Sequence, residues 1–150
     1  MSLETDIQQT KFRNEYQKAA INLIFTYNWM SEQNKKFFER EDITPQQFNI
    51  LRILRGAGNP LSTLQIRQRM LDKMSDTSRI VDRLVKKGLV KKVVCKSDRR
   101  LVDVSITEKG SELLAKLDLA NDEMDEVLSK ITFEEASTLN VLLDKIRSTE

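Results

Sequence analysis

Histidine is absent from these 150 residues and cysteine occurs once, at Cys95. Without histidine the commonest general acid–base group is missing. With one cysteine no disulfide closes within the chain, and the usual Cys and His zinc sets cannot be assembled. The sequence also lacks a Gly-rich phosphate loop and a serine in a nucleophile-elbow pattern, so its carboxylates stand without the partners that catalysis uses. An enzyme is not expected, and neither a cofactor nor a metal is called for. No run approaches the ~20 apolar residues needed to cross a bilayer. The opening Met1-Ser2-Leu3-Glu4-Thr5-Asp6 is acidic, unlike a secretory leader. A cytoplasmic protein with no membrane partner is the expectation. Only two prolines and four glycines are present, and they fall between periodic segments, where they mark boundaries.

What is present is a soluble, globular composition, 39% hydrophobic and 32% charged, of a length that suits one domain over residues 1–150. The formal net charge of +2 conceals an uneven distribution. Residues 1–59 hold 8 basic and 7 acidic side chains, residues 60–110 hold 13 and 6, and residues 111–150 hold 4 and 10. A middle block at +7 between neighbours at +1 and −6 has the charge of a polyanion-binding surface, and equally of a solvated basic face.

Periodicity assigns the elements. From Thr10 to about Arg40, Tyr16, Ala20, Leu23, Tyr27, Met30 and Phe37 recur at helical spacing and predict one long amphipathic helix. Thr44-Pro45-Gln46-Gln47 reads as a capping box that opens a second helix, ended by Gly56-Ala57-Gly58-Asn59-Pro60. Ser62-Thr63-Leu64-Gln65 repeats the signal for a short helix carrying Leu64, Ile66, Met70 and Leu71. A further helix runs from near Ser75 to Lys87 with Thr77, Ile80, Val81 and Leu84 inward, and Gly88 stops it. Two helices joined by a tight turn make a helix-turn-helix. The period then changes to two: Val102, Val104 and Ile106 form a strand, Leu89 to Lys96 its antiparallel mate, and Ser97-Asp98-Arg99-Arg100 the tip of a hairpin wing. Thr107 caps a long helix whose Leu113, Leu117, Ala120, Met124, Val127 and Ile131 step almost as a heptad seam. Thr132-Phe133-Glu134-Glu135 opens the last helix, with Leu139, Leu142, Leu143 and Ile146 as its stripe. The fold class is therefore mainly α with a small β-hairpin wing. The terminal helices, about 1–40 and 111–150, carry more apolar surface than the winged part, about 44–110, can cover. A homodimer formed by those helices is expected.

The second helix of the pair exposes Ser75, Asp76, Ser78, Arg79, Asp82, Arg83 and Lys86 between its inward positions. Arginine forks suit guanine edges and hydroxyls suit bases or phosphates, so Ser75, Asp76, Ser78, Arg79, Arg83 and Lys86 are the candidates for major-groove contact. An ordinary solvated helix with Asp82 and Lys86 paired at i, i+4 is the plainer explanation. In the wing, Lys96, Asp98, Arg99 and Arg100 are the candidates, with arginine suited to a narrow minor groove. Asp98 also favours a turn for local reasons. Lys86, Lys87, Lys91, Lys92 and Lys96 would supply phosphate contacts that position without specifying. The aromatics Phe12, Tyr16, Tyr27, Trp29, Phe37 and Phe38 suit core, interface or an effector pocket, and no ligand residue is assigned.

The run Ser78-Arg79-Ile80-Val81-Asp82-Arg83-Leu84-Val85-Lys86-Lys87-Gly88-Leu89-Val90, followed by Asp98-Arg99-Arg100 and Ile106-Thr107-Glu108-Lys109-Gly110, resembles the signature of the MarR (multiple antibiotic resistance regulator) family. The order of elements resembles that family along nearly the whole chain. The resemblance implies a homodimeric winged helix-turn-helix transcriptional regulator, usually a repressor, that binds double-stranded DNA at a palindromic operator. It implies release by a small aromatic effector bound between the dimerisation and DNA-binding regions. Lys92 stands where many members have arginine. The reactive cysteine of the peroxide-sensing branch has no counterpart near the start of the first helix, and Cys95, in the wing strand, is expected to be an inert packing residue. The alternative is a winged-helix protein–protein interaction module without an operator.

Overall fold

The structure, a computed structural model, describes residues 1–94, 96–98 and 101–149. Its elements are α1 (Leu3–Asp6), α2 (Glu15–Glu39), α3 (Pro45–Ala57), β1 (Leu61–Ser62), α4 (Thr63–Arg69), α5 (Thr77–Lys86), β2 (Val90–Val94), β3 (Val102–Ile106), α6 (Glu108–Asp118), α7 (Asn121–Asp125), a 3-10 turn (Glu126–Leu128) and α8 (Phe133–Arg147). The architecture is mainly helical with a small antiparallel wing, a winged helix-turn-helix.

Local chemistry sets the helix starts. The Thr44 hydroxyl accepts from the Gln47 N–H and the Gln47 amide oxygen accepts from the Thr44 N–H, both at 3.1 Å, with Pro45 in the first turn. The same reciprocal box closes at Ser62 with Gln65 and at Thr132 with Glu135; each satisfies donors a helix start would otherwise leave orphaned. The first long helix begins at Glu15 rather than near Thr10, because the Asn14 side chain caps it by accepting from the Gln17 N–H at 2.9 Å. Ahead of it α1 folds back, burying Leu3. An ion pair joins Glu4 to Lys18, and the Lys18 ammonium lowers the Glu4 carboxyl to about 2.

The core gathers around α3, which touches α2, α4, α5, α6 and β3. Ile50, Leu51, Ile66, Leu84 and Leu114 are fully shielded from solvent, and Phe37, Phe38, Val81, Val90 and Val104 complete the cluster. Burial of this kind is what holds a winged unit of short elements together.

Among the described residues the sheet has three strands in the order β1-β3-β2, with Val90 opposite Ile106, Lys92 opposite Val104 and Val94 opposite Val102. The hairpin register follows the period-two pattern, yet only Val104 of β3 is fully buried and Val102 is exposed. The additional strand β1, which pairs Leu61 with Val104 and Ser62 with Asp103, was not expected. It is two residues long and has no alternation to read.

The long helix expected from Thr107 to Ile131 is broken. The Ala120 N–H turns to the Leu117 carbonyl at 2.9 Å, three residues back, and Ala120 leaves helical geometry at φ −108 and ψ 18. Asn121 and Asp122, which compete with helical backbone bonds, follow at once. The bend keeps Leu113, Leu117, Ala120 and Met124 against one core. Ion pairs from Arg55 to Asp118 and from Arg40 to Glu123 fasten both sides of it.

The arms are covered differently. α8 buries no residue, and Leu139, Val141, Leu142 and Ile146 are exposed. Along α2, Tyr16, Leu23, Ile24, Tyr27 and Trp29 are exposed as well, and burial begins only at Phe37. Among the described residues no helix is long and apolar enough to cross a membrane.

Candidate nucleic-acid interface

Two short helices present the basic block. α4 starts from the Ser62 box and stops at Met70, whose side chain is buried while its backbone turns extended. The connection is braced from within: the Asp72 carboxylate accepts from the Met74 N–H at 2.9 Å, and the Lys73 ammonium donates to the Gln68 carbonyl. α5 then begins at Thr77, two residues later than Ser75, because Asp76 is its N-cap and accepts from the Arg79 N–H at 3.2 Å. A carboxylate there satisfies an orphan donor and faces the positive end of the helix dipole.

The face that α5 turns inward is Thr77, Val81 and Leu84, all buried, with Ile80 packed beside them. The opposite face exposes Ser78, Arg79, Asp82, Arg83 and Lys86. Helical spacing places these on one ridge, and the buried face fixes how that ridge is aimed. The other two candidates on this helix differ. Asp76 is spent on the cap, and Ser75 is half-buried with its hydroxyl shielded from solvent. Among the described residues the Ser75 and Thr77 hydroxyls are the buried side-chain groups without a hydrogen-bond partner.

The C-terminal end of α5 is held by the start of α6. Gly88 takes a positive φ of 72°, which lets the Leu89 N–H return to the Leu84 carbonyl at 3.1 Å. The Thr107 hydroxyl donates to the Gly88 carbonyl at 2.6 Å, the Thr107 N–H to the Leu89 carbonyl at 3.1 Å, and the Lys109 ammonium to the Lys87 carbonyl at 2.9 Å. Gly110 is required at this junction: a Cβ there would lie 2.3 Å from the Leu89 carbonyl oxygen. The segment Thr107-Glu108-Lys109-Gly110 is thus a clamp between the exposed helix and the arm that follows.

Several lysines are not where the spacing suggested. Asp82 does not pair along its own helix with Lys86; its carboxylate meets the Lys92 ammonium on β2 at 2.6 Å. Lys87 turns away to the α2–α3 loop, donating to the Asp42 carbonyl and, at 3.3 Å, to the Gln47 side chain. Lys92 and Lys87 therefore have protein partners, whereas Lys86, Lys91 and Lys96 are exposed. At the wing tip Asp98 is half-buried, and its carbonyl accepts from the Leu101 N–H at 3.0 Å. Arg99, Arg100 and Cys95 lie outside the described residues.

Between α2, the start of α3 and the α4–α5 turn is a cavity of about 760 Å³, lined among others by Tyr27, Asn34, Lys35, Asn49, Leu71 and Lys73. A second, of about 460 Å³, lies between α2 and α7 against Trp29, Phe37, Arg40 and Met124. Of the six candidate aromatics, Tyr27, Trp29 and Phe37 reach these cavities, Phe38 belongs to the core, Tyr16 is exposed and Phe12 lies under the Lys18 ammonium.

Comparison with known proteins agrees with this geometry. The model of the MarR family matches residues 41–101. A MarR transcription factor from Planctomyces limnophilus has a crystal structure that superposes with a TM-score of 0.69 at 31% identity, covering 89% of this chain and 98% of that one. The HTH-type transcriptional regulator MhqR of Bacillus subtilis is 29% identical over 133 residues, 86% of this chain and 89% of the relative. A mutant MarR from E. coli complexed with operator DNA superposes with a TM-score of 0.81 at 23% identity, over 93% of this chain and all of that one, a likeness of fold.

Proposed function

Because the chain belongs to the MarR family of transcriptional regulators, we propose that it binds a palindromic operator in double-stranded DNA as a homodimer and represses the genes beside it. One observation carries this reading. Ser78, Arg79, Arg83 and Lys86 stand exposed along one face of α5 while Thr77, Val81 and Leu84 lock the other face into the core. A helix held so firmly presents its arginine forks at a fixed angle, as major-groove recognition requires. Ser75 and Asp76, at the start of the same helix, take the lesser part in this scheme: the cap fixes the helix end that approaches the bases. In the wing, Lys96, Asp98, Arg99 and Arg100 are proposed for the minor groove, and Lys86 and Lys91 for phosphates.

The dimer follows from the uncovered faces of α2 and α8, which in one chain leave Tyr16, Leu23, Leu142 and Ile146 in water. Residues 1–40 and 111–150 form its interface in this scheme, with 44–110 as the DNA-binding part. A twofold dimer presents two α5 helices to half-sites about one helical turn, ~34 Å, apart. Such a protein works where the bacterial chromosome is, in the cytoplasm.

The 760 Å³ cavity is the proposed effector site. It joins the dimerisation helix α2 to the α4–α5 turn, its size suits a small ligand, and Tyr27, Leu71, Lys35 and Lys73 match an aromatic ring carrying an acidic group. A ligand there would shift the turn that sets the aim of α5. The family's members regulate transcription and are not enzymes. An interaction module without an operator is not favoured, since the matched relatives are regulators of transcription.

Footprinting on the gene's own upstream region tests the proposal. Protection of two half-sites one turn apart is expected. Absence of protection at low salt on that region and on any selected duplex would refute it.

A further inference from the structure

Asp82 is the exception on the ridge. It stands three residues after Arg79, next to Arg83 and four before Lys86, so the proposed recognition face carries a carboxylate among its cations. Facing DNA, such a charge is repelled by phosphate. The structure meets it from outside the helix. Lys92 projects from β2, two residues along the strand from the buried Val90, and its ammonium reaches the Asp82 carboxylate at 2.6 Å. Both side chains remain about half exposed, at 49% and 55%, and β2 packs directly on α5. The pair therefore spans the two parts of the DNA-facing surface, recognition helix and wing, at their junction.

Two consequences follow from charge and geometry. The wing strand is tied to α5 at the level of Asp82, so the two DNA-contacting parts share one orientation. Lys92, which spacing alone would count among the phosphate-binding lysines, is ion-paired within the protein. We propose that Asp82 is a specificity-determining residue that holds Lys92 off the phosphates, lowering sequence-independent attraction to DNA while leaving Arg79 and Arg83 to read bases. The inference rests on the DNA-binding reading above and adds to it a reason for an acidic residue in the basic ridge.

The test compares wild type, Asp82→Asn, Lys92→Gln and the double variant of the full chain, by fluorescence anisotropy on a selected duplex and a scrambled one over a series of salt concentrations. Asp82→Ala serves as a second release of Lys92, and thermal midpoints verify folding. Each phosphate contact contributes about 0.9 to the slope of log affinity against log salt, or roughly eightfold in affinity at 0.1 M salt. Asp82→Asn is expected to bind the scrambled duplex about eightfold more tightly, with a slope steeper by about 0.9 and a smaller ratio of selected to scrambled affinity. Lys92→Gln bares the Asp82 carboxylate and is expected to weaken binding to both duplexes, and in the double variant, which removes both charges, the gain of Asp82→Asn disappears. A purely structural pair would change the midpoints and leave the slope alone. An Asp82→Asn slope equal to wild type overturns the inference, as does a double variant that keeps the gain of Asp82→Asn, which would trace that gain to loss of the carboxylate and not to release of Lys92. Both outcomes leave the DNA-binding reading standing. If wild type itself binds no duplex, that reading falls and this inference with it.

Discussion

Helices α5 and α8 are built by the same rules and end in different surroundings. Each opens on a side-chain cap, Asp76 for one and Thr132 for the other, and each carries an apolar stripe at helical spacing. The stripe of α5 is buried at Thr77, Val81 and Leu84 within its own chain. The stripe of α8 buries nothing, with Leu142 and Ile146 more than half exposed. A buried stripe orients the opposite face of its helix; an uncovered one asks for a partner. One chain therefore contains a buried winged core beside uncovered arms, and the charge follows the same division, +7 over residues 60–110 against −6 over residues 111–150.

Truncating each stripe sharpens that difference. Leu84→Ala empties a fully buried site in α5 and is expected to cost about 2–5 kcal/mol, seen as a lower midpoint in denaturant at fixed protein concentration. A loss under 1 kcal/mol would mean the winged core is looser than its burial implies. In α8, Leu142→Glu is expected to leave the winged core folded and to convert the proposed dimer to a single chain by sedimentation. Operator affinity then falls roughly a hundredfold, because the second half-site no longer binds intramolecularly. A variant that remains dimeric would remove α8 from the interface. On the exposed side of α5, Arg83→Ala is expected to cost about 1–3 kcal/mol of discrimination between the operator and a single-base variant. An equal loss on every duplex would make Arg83 a phosphate contact instead.

The smallest effect concerns the strap at α1. Lys18 holds the Glu4 carboxyl down to about 2 from an ordinary 4.5, so docking of α1 is favoured in full above pH 4.5 and is lost as the pH falls toward 2. Trp29, the one tryptophan, lines the crevice under the strap with Leu3 and Phe25. Its emission should change over that acid range in wild type and much less in Glu4→Gln. Identical titrations would show that the ion pair does not hold the strap.

What the sequence disclosed was what is local. The capping boxes at Thr44, Ser62 and Thr132 are four-residue signals, and the inward face of α5 is a single period, so both were legible. The exposed ridge was legible for the same reason. Strand β1 was not, since two residues show no alternation and pair only through β3. Nor was the break at Ala120: the stepping of Leu113, Leu117, Ala120 and Met124 continues through it, and its fastening by Arg55 and Arg40 comes from distant positions. Spacing offers Asp82 only Lys86, four residues away on the same helix, while Lys92 reaches it only once β2 packs on α5.

Selection of duplexes from a random pool by the purified chain tests the central claim most directly. The exposed ridge of α5 on a symmetric dimer predicts enrichment of a palindrome with half-sites one helical turn apart, lost when Arg79 and Arg83 are both changed to Ala. A pool that returns unenriched, or enriches equally with the double variant, would contradict it.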